Sequence, residues 1–232
     1  MNSATKQPSL PTEKNIWVII PGLNEAAHLK QALTEVRKYT PNIIFVDDGS
    51  SDNSSTVAQS CGVRTLKHRI NLGKGAALRT GCDYAFQKLA ATAVIFFDAD
   101  LQHKADELPL FFHQLSAGAN VIFGQRAMGA EMPLIRIMGN RVLSFLVLLF
   151  FHQYVPDIPC GFKAMTKQTF DQLKLTNSDY GIELEIAAKV AHQKIPFTTV
   201  EISTVYHEMN RGMTFLDGIK VVWYLLRLRF NL

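Results

Sequence analysis

The chain predicts an α/β domain in three layers, with helices on both faces of a mainly parallel central sheet. Two observations carry that expectation. Strand-like and helix-like patterns alternate from Ile16 to about Phe123, which is the β-α repetition of such sheets. Two apolar runs, Ile43-Ile44-Phe45-Val46 and Val94-Ile95-Phe96-Phe97, lead straight into acids, Asp47-Asp48 and Asp98-Ala99-Asp100. Acids at strand ends fall on the C-terminal edge of an open sheet, where ligands bind.

Taken in order, Ile16 to Ile20 is the first strand, stopped by Pro21-Gly22. Asn24 stands where a helix cap belongs, and Ala26, Leu29, Leu33 and Val36 follow at helical spacing. Ile43 to Val46 is the second strand, and Asp52 or Ser54 caps a short helix reaching Cys61. Val63 to Lys67 is a weaker third strand, and Gly73-Lys74-Gly75 opens a helix carrying Ala77, Leu78, Tyr84, Ala85 and Leu89. Val94 to Phe97, a helix from Ala105 to Leu115, and a strand from Asn120 to Phe123 complete the regular part. Beyond Gly124 a polar loop with Arg126, Met132-Pro133 and Arg136 leads into an apolar helix ending near Phe151. Gly161 to Met165 and Phe197 to Val205 read as strands around a helix from about Ile182 to His192. A helical pattern, Phe215 to Leu232, closes the chain.

At 232 residues this is one large domain or one domain with an appendage. We divide it into a flexible start (1–14), a main domain (15–212, including an acceptor loop and interfacial helix over 126–151) and a C-terminal amphipathic helix (213–232). With 47% hydrophobic and 19% charged residues it can fill a sizeable core. A net charge of +4 suits an anionic ligand or an acidic membrane surface and is too small to argue for nucleic acid. Cys61, Cys82 and Cys160 are odd in number and form no CxxC, so they read as reduced thiols in a cytosolic setting. The start lacks the basic-then-apolar pattern of a secretion signal. The longest apolar stretch, Val142 to Phe151, is broken only by Ser144. As a helix it covers about 15 Å of a hydrocarbon core about 30 Å thick, so it can lie on a bilayer but cannot span one.

The acids suggest chemistry. Hard oxygen ligands suit Mg²⁺ or Mn²⁺, and an Asp-x-Asp at a strand end can hold such a cation against a diphosphate. Asp98, Asp100 and Gln102 are the candidates, since residues two apart on an extended turn face one ligand. A turn whose acids cap the next helix is the plainer alternative. Asp47-Asp48-Gly49-Ser50 can hydrogen-bond a base and ribose, or be an ordinary Asp-Gly turn. The backbone of Pro21 to Glu25 can line a base. Asn71-Leu72-Gly73-Lys74-Gly75 offers amides and a lysine to phosphate, though its spacing is not a P-loop and a simple helix start fits it too.

Together these segments resemble the family 2 glycosyltransferases of GT-A fold, in particular the dolichyl- or polyprenyl-phosphate mannosyl- and glucosyltransferases. Gly124-Gln125-Arg126, Gly139-Asn140-Arg141 and Asp157-Ile158-Pro159-Cys160-Gly161-Phe162-Lys163 extend the resemblance, which covers roughly Ile16 to Thr214. It implies that Pro21, Leu23, Glu25, Val46, Asp48, Lys74, Asp98 and Ala99 surround a GDP- or UDP-hexose. It puts the metal on Asp98, Asp100 and Gln102. It brings Arg126, Arg136, Arg141 and Arg211 to the phosphates, with Asp100, Arg126, Arg141 and Arg211 as the catalytic set. Leu23 stands where many members have Tyr, and Arg211-Gly212-Met213-Thr214-Phe215 departs from their Arg-Gly-Ser ending, leaving that phosphate contact to Arg211.

The implied reaction moves glucose or mannose to a polyprenyl phosphate at the cytosolic face of a membrane, inverting the anomeric centre. A hydroxyl acceptor would need a general base instead, for which Asp157, Glu183 and Glu185 are available. A nucleotidyltransferase would carry a basic, glycine-rich first loop, which Pro21 to Glu25 is not. A nucleotide-sugar-binding subunit of a membrane complex is the non-enzyme alternative. The two apolar helices, with flanking cations and Trp223-Tyr224, suit the plane of a membrane interface. Packing on the sheet, a homo-oligomer contact or a membrane-subunit contact would use the same faces.

Overall fold

A computed structural model of the protein describes residues 15–127, 134–179, 181–203 and 215–230. The expected flexible start and Arg211 lie outside these residues, as does the side chain of Arg136. Among these residues seven strands form one sheet: β1 (Ile16–Gly22), β2 (Ile43–Asp47), β3 (Arg64–Lys67), β4 (Ala93–Phe96), β5 (Val121–Arg126), β6 (Lys163–Thr166) and β7 (Thr198–Ile202). They lie in the order β3-β2-β1-β4-β6-β5-β7. All neighbours are parallel except β6, which runs antiparallel to both β4 and β5. The departure falls where the sequence alternation stops.

The helices are α1 (Ala26–Arg37), α2 (Ser54–Ser60), α3 (Lys74–Lys88), α4 (Leu108–Ser116), α5 (Leu134–Phe151), α6 (Lys167–Leu173), α7 (Ile182–His192) and α8 (Phe215–Phe230). Successive strand residues face opposite sides, so β1 feeds two cores. Val18 and Ile20 join Leu29, Leu33, Phe45, Phe111 and Leu115 on one face. Ile19 joins Val46, Ala77, Leu78, Cys82, Val147 and Ile186 on the other. Each fully buried Leu, Ile or Phe contributes roughly 1.5–3 kcal/mol, and the two-sided burial makes the three layers. The three cysteines are free thiols, Cys82 and Cys160 buried.

Several boundaries differ from expectation. Pro21-Gly22 does not stop β1; both residues stay paired, opposite Val46 and Asp47. The reason is parity. Val18 and Gly22 bond toward β2, whereas Ile19, and Pro21 with it, turn toward β4, whose ladder with β1 closes as Phe97 donates to Ile19. The missing proline N–H therefore leaves no ladder bond unmade. Asn24 does not cap α1. At φ 59° it turns its side chain to accept from Ser51, while Ser54 Oγ and Asp52 accept from the N–H groups of Glu25 and Ala26. The helix expected from Ala105 to Leu115 is a 3-10 turn, Ala105–Glu107, followed by α4. The short α6, capped by Thr166 Oγ1, went unforeseen because its sequence KQTFDQL has too few apolar residues to show a period.

Candidate functional site

β1 is flanked by β2 on one side and β4 on the other, so the strand order reverses between β1 and β4. Open sheets bind ligands at that reversal, beyond the strand ends. A cleft opens there, lined by Pro21, Gly22, Leu23, Glu25, Asp48, Asn71, Lys74, Asp98, Ala99 and Asp100. Seven of the residues expected around a nucleotide-sugar are thus brought together. Val46 is the exception: it is fully buried, and its side chain packs toward Gly81 of α3 rather than into the cleft.

The floor of the cleft is an ion cluster. Lys74 Nζ, on the first residue of α3, sits 2.8 Å from Asp98 Oδ1 and 2.7 Å from Glu183 Oε1. Burial works against the Lys74 ammonium, but Asp98 and Glu183 outweigh it and push its pKa above the usual lysine value. Burial likewise opposes ionised Asp98, yet Lys74, His103 and Lys163 hold it below the usual carboxylate range. A Cβ on Gly161 would run into the Asp98 carboxylate, so only glycine lets that turn close over it. His103 Nε2 lies 3.8 Å from Asp98, and burial pushes His103 down to about 4, leaving it neutral.

Asp100 is different. Burial and the charge of Asp98 push its carboxyl up, and burial and the charge of Asp100 do the same to Glu25. Mutually repelling carboxylates at the mouth of a cleft favour a cation there. Gln102 meets Asp100 through its backbone N–H, 3.0 Å from Asp100 Oδ1, around a turn in which Leu101 has φ 60°. Among the described residues no three His, Cys, Asp or Glu side chains converge to cage a metal ion unaided.

Asp48 organises the other wall. Its Oδ1 accepts from Leu72 N at 2.9 Å and its Oδ2 from Gly73 N at 2.8 Å, tying the end of β2 to the entry of α3. His68 Nδ1 lies 2.7 Å from the same Oδ1, and its Nε2 is 2.9 Å from Thr80 Oγ1. His68 was missed by sequence reasoning. The available signal was its place directly after β3, on the same sheet edge as Asp48. Asp47 is buried and accepts from Ser50 N and Ser55 Oγ, so it shapes the turn.

At the end of β5, against α5, lies a second, smaller pocket lined by Gln125, Arg126, Asn140, Arg141, Ser144, Tyr154 and Asp157. Asp157, at φ 44°, accepts from Arg126 N and Nε at 2.8 Å, from Nη2 at 2.6 Å and from Asn140 Nδ2 at 3.1 Å. Glu185 is wholly buried and accepts from Thr176 N, Thr176 Oγ1 and Asn177 N, with Lys189 at 2.7 Å. Each of the three carboxylates considered as a general base is therefore bound to a cation. Beside this pocket α5 exposes Met138, Val142, Phe145 and Leu149, one stripe at helical spacing. Among the described residues no helix is long and apolar enough to cross a membrane.

Residues 17–174 match the family described as "Glycosyl transferase family 2". The chain belongs to that family. The family 2 match takes in every residue lining the cleft. Over 248 aligned residues the chain is 30% identical to a UDP-N-acetylglucosamine–dolichyl-phosphate N-acetylglucosaminyltransferase of Methanococcus voltae, covering 94% of this chain and 98% of that one. It is 23% identical to a polyprenol monophosphomannose synthase of Mycolicibacterium smegmatis, covering 91% and 84%. The fold is GT-A. Glucosyl-3-phosphoglycerate synthase from Mycobacterium tuberculosis, crystallised with Mn²⁺, UDP-glucose and phosphoglyceric acid, superposes with a TM-score of 0.71 at 19% identity, over 96% of this chain and 80% of that one.

Proposed function

We propose that this family 2 glycosyltransferase moves a sugar from a nucleoside-diphosphate donor to a polyprenyl phosphate, inverting the anomeric centre. One observation carries the choice of acceptor: Asp157, Glu183 and Glu185 are each engaged by Arg126, Lys74 or Lys189. A hydroxyl acceptor needs a carboxylate free to take its proton. A phosphate monoester, with a second pKa of about 6, is already an anionic nucleophile near neutral pH. The two relatives named for lipid-phosphate acceptors support the same reading.

In this reading Pro21, Leu23, Glu25 and Asp48 bound the nucleoside, and Lys74 meets the diphosphate. Asp100 is the ligand of a divalent cation, Mg²⁺ or Mn²⁺, with Glu25 adding charge beside it. The cation supplies Lewis-acid stabilisation of the leaving diphosphate. Asp98 keeps Lys74 in place. Arg126, oriented by Asp157, and Arg141 of α5 hold the acceptor phosphate in line with the sugar C1, where position and electrostatics supply most of the rate. Arg136 and Arg211 are kept as further phosphate contacts. The α5 stripe and exposed Trp223 of α8 rest in the headgroup region on the cytosolic side, delivering the lipid phosphate to Arg126 and Arg141.

The test is to incubate the purified protein with sugar-labelled UDP-glucose, UDP-N-acetylglucosamine, GDP-mannose or GDP-glucose, Mn²⁺ or Mg²⁺, and vesicles containing polyprenyl phosphate. Label passing into organic solvent, as an acid-labile glycosyl phosphate, is the expected result for one donor. Transfer only to a soluble saccharide would overturn the lipid-phosphate assignment.

A further inference from the structure

Three elements meet at the ammonium of Lys74: α3 begins with it, β4 leads into Asp98, and α7 carries Glu183 as its second residue. An acid in the first turn of a helix is favoured by the helix dipole whatever it touches. The dipole does not bury it, however, and Glu183 is only 7% exposed. A carboxylate so enclosed must be paired, and its partner is Lys74 Nζ at 2.7 Å, which Asp98 already holds at 2.8 Å.

Two acids share one ammonium, so Lys74 is tied on two sides beside the cleft that it lines. This is a poor arrangement for gripping a donor diphosphate in the ground state. It is a good one for holding the ammonium back until charge develops on the leaving group, because only interactions stronger in the transition state than in the ground state raise the rate. We infer that Glu183 is a positioning residue that acts through Lys74, restraining its ammonium from the bound donor and fixing it where the departing diphosphate gathers charge. Atoms move only in the sugar transfer proposed above, on which this rests: the bond from C1 to the diphosphate breaks, and the diphosphate keeps the electron pair.

Kinetics of Glu183→Gln, Lys74→Met and the double variant, read as nucleotide diphosphate released, test it. That readout reports turnover with whichever acceptor the protein uses, so failure of the lipid-phosphate reading leaves it runnable. Glu183→Gln is expected to lower kcat about tenfold while donor KM stays level or falls, since the freed ammonium leans onto the ground-state donor. Lys74→Met lowers kcat with little change in donor KM, and adding Glu183→Gln to it changes neither further. An additive double variant, a rise in donor KM at unchanged kcat, or no effect of Glu183→Gln would each overturn the proposal. Glu183→Asp keeps the charge and withdraws it by one methylene, so it recovers part of kcat. Should Glu183→Gln fail to fold, Glu183→Asp carries the same cycle, with a smaller loss of kcat expected alone and none beside Lys74→Met.

Discussion

The molecule treats two sets of acids in opposite ways. At the ends of β1 and β4, burial and a neighbouring charge raise two carboxyls above their usual range: Asp98 acts on Asp100, and Asp100 acts on Glu25. Around β5, α5 and α7, Asp157, Glu183 and Glu185 are each matched by a lysine or arginine. Crowded acids are uncomfortable in the fold and ready for a cation; matched acids stabilise the fold and are unfit to take a proton. The contrast sorts carboxylates that contribute to stability from those kept for a ligand, and it fits a reaction between a metal-bound diphosphate and an acceptor that arrives already charged.

The largest expected effect comes from breaking the crowded side. Asp100→Asn removes a proposed cation ligand and should lower kcat by about 10²–10³-fold or more. Because it also removes a repelled charge, thermal stability should hold or rise by up to about 1 kcal/mol. A steady-state assay paired with a melting curve reads both. Near-native turnover would remove Asp100 from the cation, and a clear loss of stability would end the description of it as a crowded acid.

Glu185→Gln is the opposite experiment and the next in size. Burial alone would raise the Glu185 carboxyl, but Lys189 and the N–H groups of Asn177 and Thr176 hold it below its ordinary value. A depressed folded pKa adds stability that is complete above the unfolded glutamate value of about 4.3 and is lost as pH falls through the lower folded value. The substitution should therefore cost about 2 kcal/mol at neutral pH, or roughly 4–8 °C in Tm for a chain of this size. The gap between variant and parent should close as melting is repeated at falling pH below about 4. A gap that stays constant with pH would mean that the ion pair is not its source.

The crowded side was the readable one. Asp100 closely follows an apolar run, as do Asp48 and the lysine-paired Asp98 beside it, so all three announce themselves by local pattern. Two of the three matched pairs are far apart in sequence, Arg126 with Asp157 and Lys74 of α3 with Glu183 of α7, whereas Glu185 and Lys189 are an i,i+4 pair on α7. No spacing rule joins the distant pairs; that Glu183 and Glu185, two apart on one helix, do not share a face follows from their spacing, but which of them would meet the cleft does not. Asn24 shows the same limit at short range. Its type and place suggested a cap, but the caps of α1 come from Asp52 in the loop after β2 and from Ser54, the first residue of α2. Val46 was carried to the nucleotide by resemblance, and strand parity turns it into the core.

The smallest effect on stability, and the sharpest test of what the matched side faces, lies on α5. Phe145 and Leu149 are 58% and 57% exposed, so Phe145→Glu with Leu149→Glu should change folding stability by no more than about 0.5 kcal/mol. If that stripe enters the headgroup region, the same pair removes apolar area that burial would stabilise by roughly 1.5–3 kcal/mol per side chain at full depth. Sedimentation with anionic vesicles should then fall about tenfold or more. Leu110→Glu is the control. Its helix, α4, packs on the other face of the sheet from α5, so an equal charge there should leave sedimentation unchanged. Equal losses from both would reduce the effect to net charge. Unchanged binding by the α5 pair would turn the stripe toward a protein neighbour, and the acceptor phosphate would have to reach Arg126 and Arg141 by another route.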